Sequence, residues 1–98
     1  MPILNIQEAA EVLGYTSPDE MPGNVSSIIL PAVDDFLKTA TGKDWGADNS
    51  IDPTAKIAAS VLLVRWFDDP GLFGKVDAGI ISLAGQLAAK ALIEVNDS

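Results

Sequence analysis

Residues 52–71, DPTAKIAASVLLVRWFDDPG, describe a helix with both ends marked and no polar face. Asp52 can accept from the first free N–H groups, Pro53 suits the first helical position, and Pro70-Gly71 cannot continue a helix. On a helical wheel, Ile57, Val61 and Val64 point one way. Ala58, Leu62 and Trp66, with Ala59, Leu63 and Phe67, continue around it, and only Lys56, Ser60, Arg65, Asp68 and Asp69 interrupt the apolar surface. A helix that is apolar nearly all round must be covered on most sides, so the rest of the chain has to fold around this one. Neighbouring helices of the same domain can supply the cover, or part of the surface can face a second subunit; both readings stand at this level.

Three more helices and no strand are expected. Asn5 and Glu8 fit a capping box for a helix over about 6–13, which Gly14 stops. YTSPDEMPG, residues 15–23, reads as a loop. A second helix runs from about Asn24 to Thr41 and ends at Gly42. Val25, Ile28, Ile29, Leu30, Ala32, Val33, Phe36, Leu37 and Ala40 share its apolar face, opposite Ser27, Asp34, Asp35 and Lys38. Pro31, on the polar side, removes the bond to the carbonyl of Ser27 and should kink this helix or begin its better-ordered part. KDWGADNSID, residues 43–52, is a second loop. Asp77 can cap a last helix through about Ile93, with Ile80, Ile81, Leu83, Ala84, Leu87, Ala88, Ala91 and Leu92 as its apolar face. EVNDS, residues 94–98, is expected to fray. The expectation is a single all-α domain over residues 1–98, a bundle of about four helices with a central apolar helix, its first 22 residues forming a short helix and loop.

Several functions are disfavoured by what the chain lacks. Of its 98 residues none is Cys and none is His, which removes disulfides, thiolate catalysis, zinc–thiolate sites and the commonest general base. The net charge is −8 and the six basic residues are scattered, so neither the phosphate backbone of a nucleic acid nor an anionic membrane is an expected partner. MPILNIQEAAEVLG lacks the basic and long apolar regions of a signal peptide, and the longest uncharged apolar run, IAASVLLV, is too short to span a bilayer. A domain of this size buries only roughly 60–65% of its unfolded surface, so association with other subunits would help it.

No residue pattern points to catalysis. Asp34-Asp35 and Asp68-Asp69 are adjacent pairs, whose side chains diverge by about 100° on a helix and do not meet at one substrate atom. The first pair reads as a solvated face and the second as a helix end. GLFGK, residues 71–75, lacks the spacing and the preceding strand of a phosphate loop. The serines have no histidine to activate them. No catalytic residue, metal ligand or cofactor is assigned, and an enzyme is not expected. Arg65 can reach Asp68 or Asp69 at i+3 and i+4, or a carboxylate on a neighbouring subunit. Trp66 and Phe67 at the helix end, with Leu72 and Phe73 in the following loop, have the composition of interface anchors. The candidate interface is therefore Arg65, Trp66, Phe67, Asp68, Asp69, Leu72 and Phe73. Whether residues 70–76 pack on their own domain or on a neighbour is open, and Leu72-Phe73 is the part a monomer has less reason to keep.

Three segments occur in a telling order. SSIILPAVDDFLKTATG is followed by KDW, with Thr41, Gly42, Lys43 and Trp45 at the helix end. The Pro-led apolar helix from Pro53 to Trp66 comes next, and then GIISLAGQL, with Gly79, Ile80, Ser82, Leu83, Gln86 and Leu87. In this order and spacing, over about residues 20–90, the chain resembles the small head–tail connector proteins of tailed phages and prophages, also called head completion or adaptor proteins. Pro31 departs from the pattern, and the last helix is longer and richer in alanine than the family's.

The resemblance implies a structural protein of virion assembly, made in the bacterial host cytoplasm and residing at the head–tail junction. After DNA packaging such proteins form a ring, typically twelvefold, between the portal and a tail or stopper protein. No catalytic residue comes with it. An acidic subunit also suits a conduit through which DNA must slide. The competing reading is a generic small helical interaction module or regulator, which can be dimeric.

Overall fold

The computed structural model describes residues 2–47 and 50–97. Asp48 and Asn49 of the second expected loop, and Ser98 of the expected frayed tail, lie outside the described residues. Helix α1 spans Ile6–Leu13. The Asn5 side-chain oxygen accepts from the Glu8 N–H at 2.8 Å and the Glu8 carboxylate from the Asn5 N–H at 3.1 Å, so two N–H groups with no helical partner are satisfied reciprocally. Gly14, at φ 87°, ends the helix in the left-handed region, where a Cβ would be strained.

Helix α2, Leu30–Thr41, is preceded without a break by one wide turn at Val25–Ile29, in which the Leu30 N–H donates to the Val25 carbonyl five residues back. Pro31 explains this turn. Its ring has no N–H and would collide with the carbonyl of Ser27 in a regular α-helix, and widening the preceding turn removes the collision. The extra residue also rotates the apolar face. Val25 and Ile29 are buried, whereas Ile28, expected on that face, is exposed, as is Ala40 near the other end. Leu30, Val33 and Leu37 carry the face on into the core.

Helix α3, Pro53–Asp68, begins as expected, with the Asp52 carboxylate accepting from the Thr54 N–H at 2.7 Å and Pro53 at the first position. It packs against α1 and α2 and against the last helix, α4 (Ala78–Asp97), and is the centre of the domain. Ala55, Ala58, Ala59, Leu62, Leu63 and Trp66 are buried. The stripe that points the other way is less covered: Val61 and Val64 are half-buried and Ile57 is exposed. Lys56 bonds Glu8 and so ties α3 to α1. Lys90 reaches Asp52 at 3.2 Å and ties α4 to the start of α3.

The Asp77 carboxylate accepts from the Ile80 N–H at 3.1 Å and starts α4. This helix continues to Asp97 through residues expected to fray. Ile80, Ala84, Leu87 and Ala91 make the buried stripe, at helical spacings of four, three and four. Ile81 and Leu92, expected on the same face, are 61% and 64% exposed. Among the described residues only α2 and α3 pack closely on α4, and two neighbours cover one side of a helix, not its full circumference.

The result is a single all-α domain of four helices, with no strand among the described residues. Its radius of gyration is 13.3 Å and its axes are 42 × 28 × 18 Å. Among the described residues no helix is long and apolar enough to cross a membrane.

Candidate interface at the end of helix α3

Trp66 lies in the last turn of α3 and is buried in the core. Phe36 of α2 meets its ring edge-on at a centroid distance of 6.0 Å, and Phe73 lies tilted against it at 5.2 Å. Its indole Nε1–H donates to the carbonyl of Lys75 at 3.0 Å, so the one polar atom of the ring is satisfied by the loop that follows the helix. Phe67, next in sequence and half-buried, meets Tyr15 edge-on at 6.3 Å. The helix end is thus an aromatic joint holding the segments before α2 and after α3.

Arg65 does not pair with Asp68 or Asp69. Its guanidinium bonds the carboxylate of Asp77, the residue that caps α4, so the chain reversal between α3 and α4 is closed by charge. The reason is geometric. The Asp69 carboxylate accepts from the Gly71 N–H at 3.0 Å, shaping the turn that ends α3, while Asp68 is exposed. The C-terminal end of a helix disfavours carboxylates electrostatically, which gives Asp68 reason to stay in water.

Beyond this turn the loop Gly71–Val76 folds on its own domain without being covered by it. The Lys75 N–H bonds the Leu72 carbonyl at 2.8 Å and Gly74 sits at φ 79°. Phe73 leans on Trp66, yet Leu72, Phe73 and Val76 remain 41%, 40% and 39% exposed. The seven expected residues therefore divide. Trp66 is core, Phe67 is half-buried beside it, Arg65 and Asp69 shape the turn, Asp68 faces water, and Leu72 and Phe73 present apolar surface. Phe73 also walls an apolar groove of about 470 Å³ with Ile28, Ile29, Pro22, Asn24, Trp66 and Phe67.

A second concavity was not legible in the sequence. The strap Pro2–Asn5 crosses α2, with Ile3 and Leu4 buried and the Ile3 N–H donating to Asp34 Oδ1 at 3.1 Å. Asp34, expected on a solvated face, is half-buried; burial raises its pKa above the usual carboxylate value, against the Ile3 bond that lowers it. Between the strap and α2 opens a cleft of about 560 Å³ with an apolar wall that includes Leu4, Ile6 and Pro31. Asp34, Asp35, Asp44 and Lys38 also line it. Among the described residues no three such side chains converge tightly enough to hold a metal ion. The cleft combines residues near positions 2–6, 26–38 and 44, and no local pattern links those stretches.

The Thr-Gly-Lys-x-Trp segment is explained by packing. Thr41 Oγ1 donates to the Leu37 carbonyl at 2.6 Å and accepts from Trp45 Nε1 at 2.8 Å, while Gly42, at φ 78°, turns the chain. Trp45 is thereby folded back into the core, and Lys43 Nζ lies 4.5 Å from the ring centroid.

Compared with known proteins, the chain matches no family model, no curated protein and no solved structure.

Proposed function

We propose that this chain is a ring-forming structural subunit of a tailed phage or prophage, a head–tail connector that completes the head after DNA packaging. In this reading it works at the head–tail junction of the virion, between the portal and a tail or stopper protein, and catalyses nothing. The order of the Thr-Gly-Lys-x-Trp segment, the Pro-led apolar helix and the Gly-Ile-x-Ser-Leu-x-x-Gln-Leu segment supports it. So does an all-α domain built around that apolar helix. The observation that carries it is the Gly71–Val76 loop, where three large apolar side chains stand about two-fifths exposed just beyond the end of the central helix. Clustered exposed apolar residues mark interaction surfaces more often than isolated ones do.

A ring needs a heterologous contact that closes on itself. Native mass spectrometry and electron microscopy at high protein concentration, with and without a portal protein, test the assignment. Closed rings, or rings nucleated by the portal, are expected. A chain that stays monomeric and never joins a portal rules the reading out.

One feature favours a second reading, a dimeric helical interaction module. Ile81, Gly85, Ala88 and Leu92 form an outward stripe on α4 at the spacing of a two-helix seam. A stable dimer that ignores the portal and loses its partner on Ile81→Lys would support that alternative.

A further inference from the structure

Two surfaces of this domain are complementary to each other and neither can satisfy the other within one copy. The first is the Gly71–Val76 loop, whose apolar residues Leu72 and Val76 flank Lys75. Lys56, Arg65 and Lys90 are held by Glu8, Asp77 and Asp52, whereas Lys75 has no ion-pair partner among the described residues. The second is the cleft between α2 and the N-terminal strap. Its wall is apolar, and its lining carries three carboxylates against a single lysine, Lys38. A lysine set among apolar side chains matches a cleft of apolar wall and acidic rim in both chemistry and charge.

Their placement makes the contact intermolecular. Ser26, Leu30 and Asp34, four residues apart, line the cleft. Ile28 and Ile29 line the groove that Phe73 walls. The helical segment from Gly23 to Thr41 therefore stands between a subunit's own loop and its own cleft. A projection on one side and its socket on the other form a head-to-tail contact, which closes into a ring or runs on as a filament according to the rotation between copies.

We propose that the Gly71–Val76 loop of one copy docks into the acidic cleft of a second copy, Leu72 and Val76 against the apolar wall and Lys75 against Asp35 and Asp44. This rests on the ring reading above and names the contact that propagates it. The loop is the anchor of a wider interface, since a stable one buries about 800 Å² per partner. Phe73 stays on Trp66 and sets the angle at which the loop projects.

Charge reversal tests it with the full-length protein. Lys75→Glu makes the projection negative, and Asp35→Lys with Asp44→Lys makes the socket positive. All three side chains are on the surface, so melting curves and circular dichroism should match the parent; Asp35→Lys alone serves if the double variant does not fold. In sedimentation velocity and native mass spectrometry, each variant alone should self-associate about tenfold more weakly than the parent, or worse, because like charges meet. An equimolar mixture should recover assembly, with the two variants alternating. Leu72→Ser should weaken assembly without being rescued by either partner. If both charge variants assemble as the parent does, or the mixture does no better than its components, the contact lies elsewhere and the ring stands without it. If the parent itself stays monomeric at every concentration while still joining a portal, self-docking is overturned and the connector reading survives.

Discussion

Trp45 and Trp66 are 1% and 3% exposed, and both donate their indole N–H, but the acceptors differ in kind. Trp45 finds the hydroxyl of Thr41, four residues back across a glycine turn. Trp66 finds the backbone carbonyl of Lys75, nine residues on, in a loop that stays largely exposed. One corner is a closed local unit. The other ties a core helix to a surface segment, so a disturbance at the surface reaches the core through one hydrogen bond and one ring contact. Under the proposed ring assembly the second kind of joint has a use, because the residues that hold the loop in shape are also those that stabilise the domain.

Alanine at either tryptophan has the largest expected effect, about 3–5 kcal/mol of unfolding free energy by chemical denaturation. The comparison sharpens if the chain forms the proposed ring. Trp66→Ala should also abolish association under conditions where the domain is still folded, whereas Trp45→Ala should lower association only as far as it lowers the folded fraction. Thr41→Val comes next. It leaves a buried indole N–H without an acceptor and should cost about 1–3 kcal/mol. No such side-chain deletion exists for Trp66, whose acceptor is backbone, but Gly74→Ala strains the left-handed turn before Lys75 and should cost about 1–2 kcal/mol.

Phe73→Ala removes a half-exposed ring and should cost about 1 kcal/mol of stability, with helicity by circular dichroism nearly unchanged and association reduced. A fold loss as large as that at Trp66 would erase the distinction between anchor and core. The smallest effect belongs to a third fastener, the bond from Ile3 to Asp34, whose ends lie 31 residues apart in sequence. Burial raises the Asp34 pKa, so folding favours its protonated form: that contribution is complete below the ordinary carboxylate value of 3.8 and is lost as pH rises through the higher folded value. Asp34→Asn keeps an acceptor for Ile3 and carries no charge. It should melt at or slightly above the parent at pH 7, with the difference vanishing in acid. A variant clearly less stable at pH 7 would mean that the charge itself holds the strap.

Legibility followed sequence separation. The capping box at Asn5 and Glu8, the Asp52-Pro53 start and the Pro70-Gly71 stop concern groups within a few residues of one another. Their energetics are local, and each was readable. Arg65 offered two carboxylates three and four residues away, and the structure chose Asp77, because the turn had already engaged Asp69 and the start of α4 returns beside α3. Pro31 announced a disturbance but not its form. The wide turn at Val25–Ile29 turned Ile28 outward, and no wheel drawn at a constant angle per residue predicts that.

The sequence by itself determined that the chain is helical, where three of its helices begin and three of them stop, and that the third of them must lie inside. Caps and prolines act within about one helical turn, and apolar periodicity is read along a single helix. Only the tertiary structure decided which apolar residues stay outside. Ile81 and Leu92 share the composition of the buried stripe on α4, and Leu72 and Val76 resemble many core residues, yet helices of finite diameter cover one side of a neighbour and not the other. The acidic cleft was likewise created by packing, which set an N-terminal strap against carboxylates more than twenty residues away. Hydrophobicity states what a side chain would gain from cover, and only the arrangement of its neighbours states whether its own domain supplies that cover.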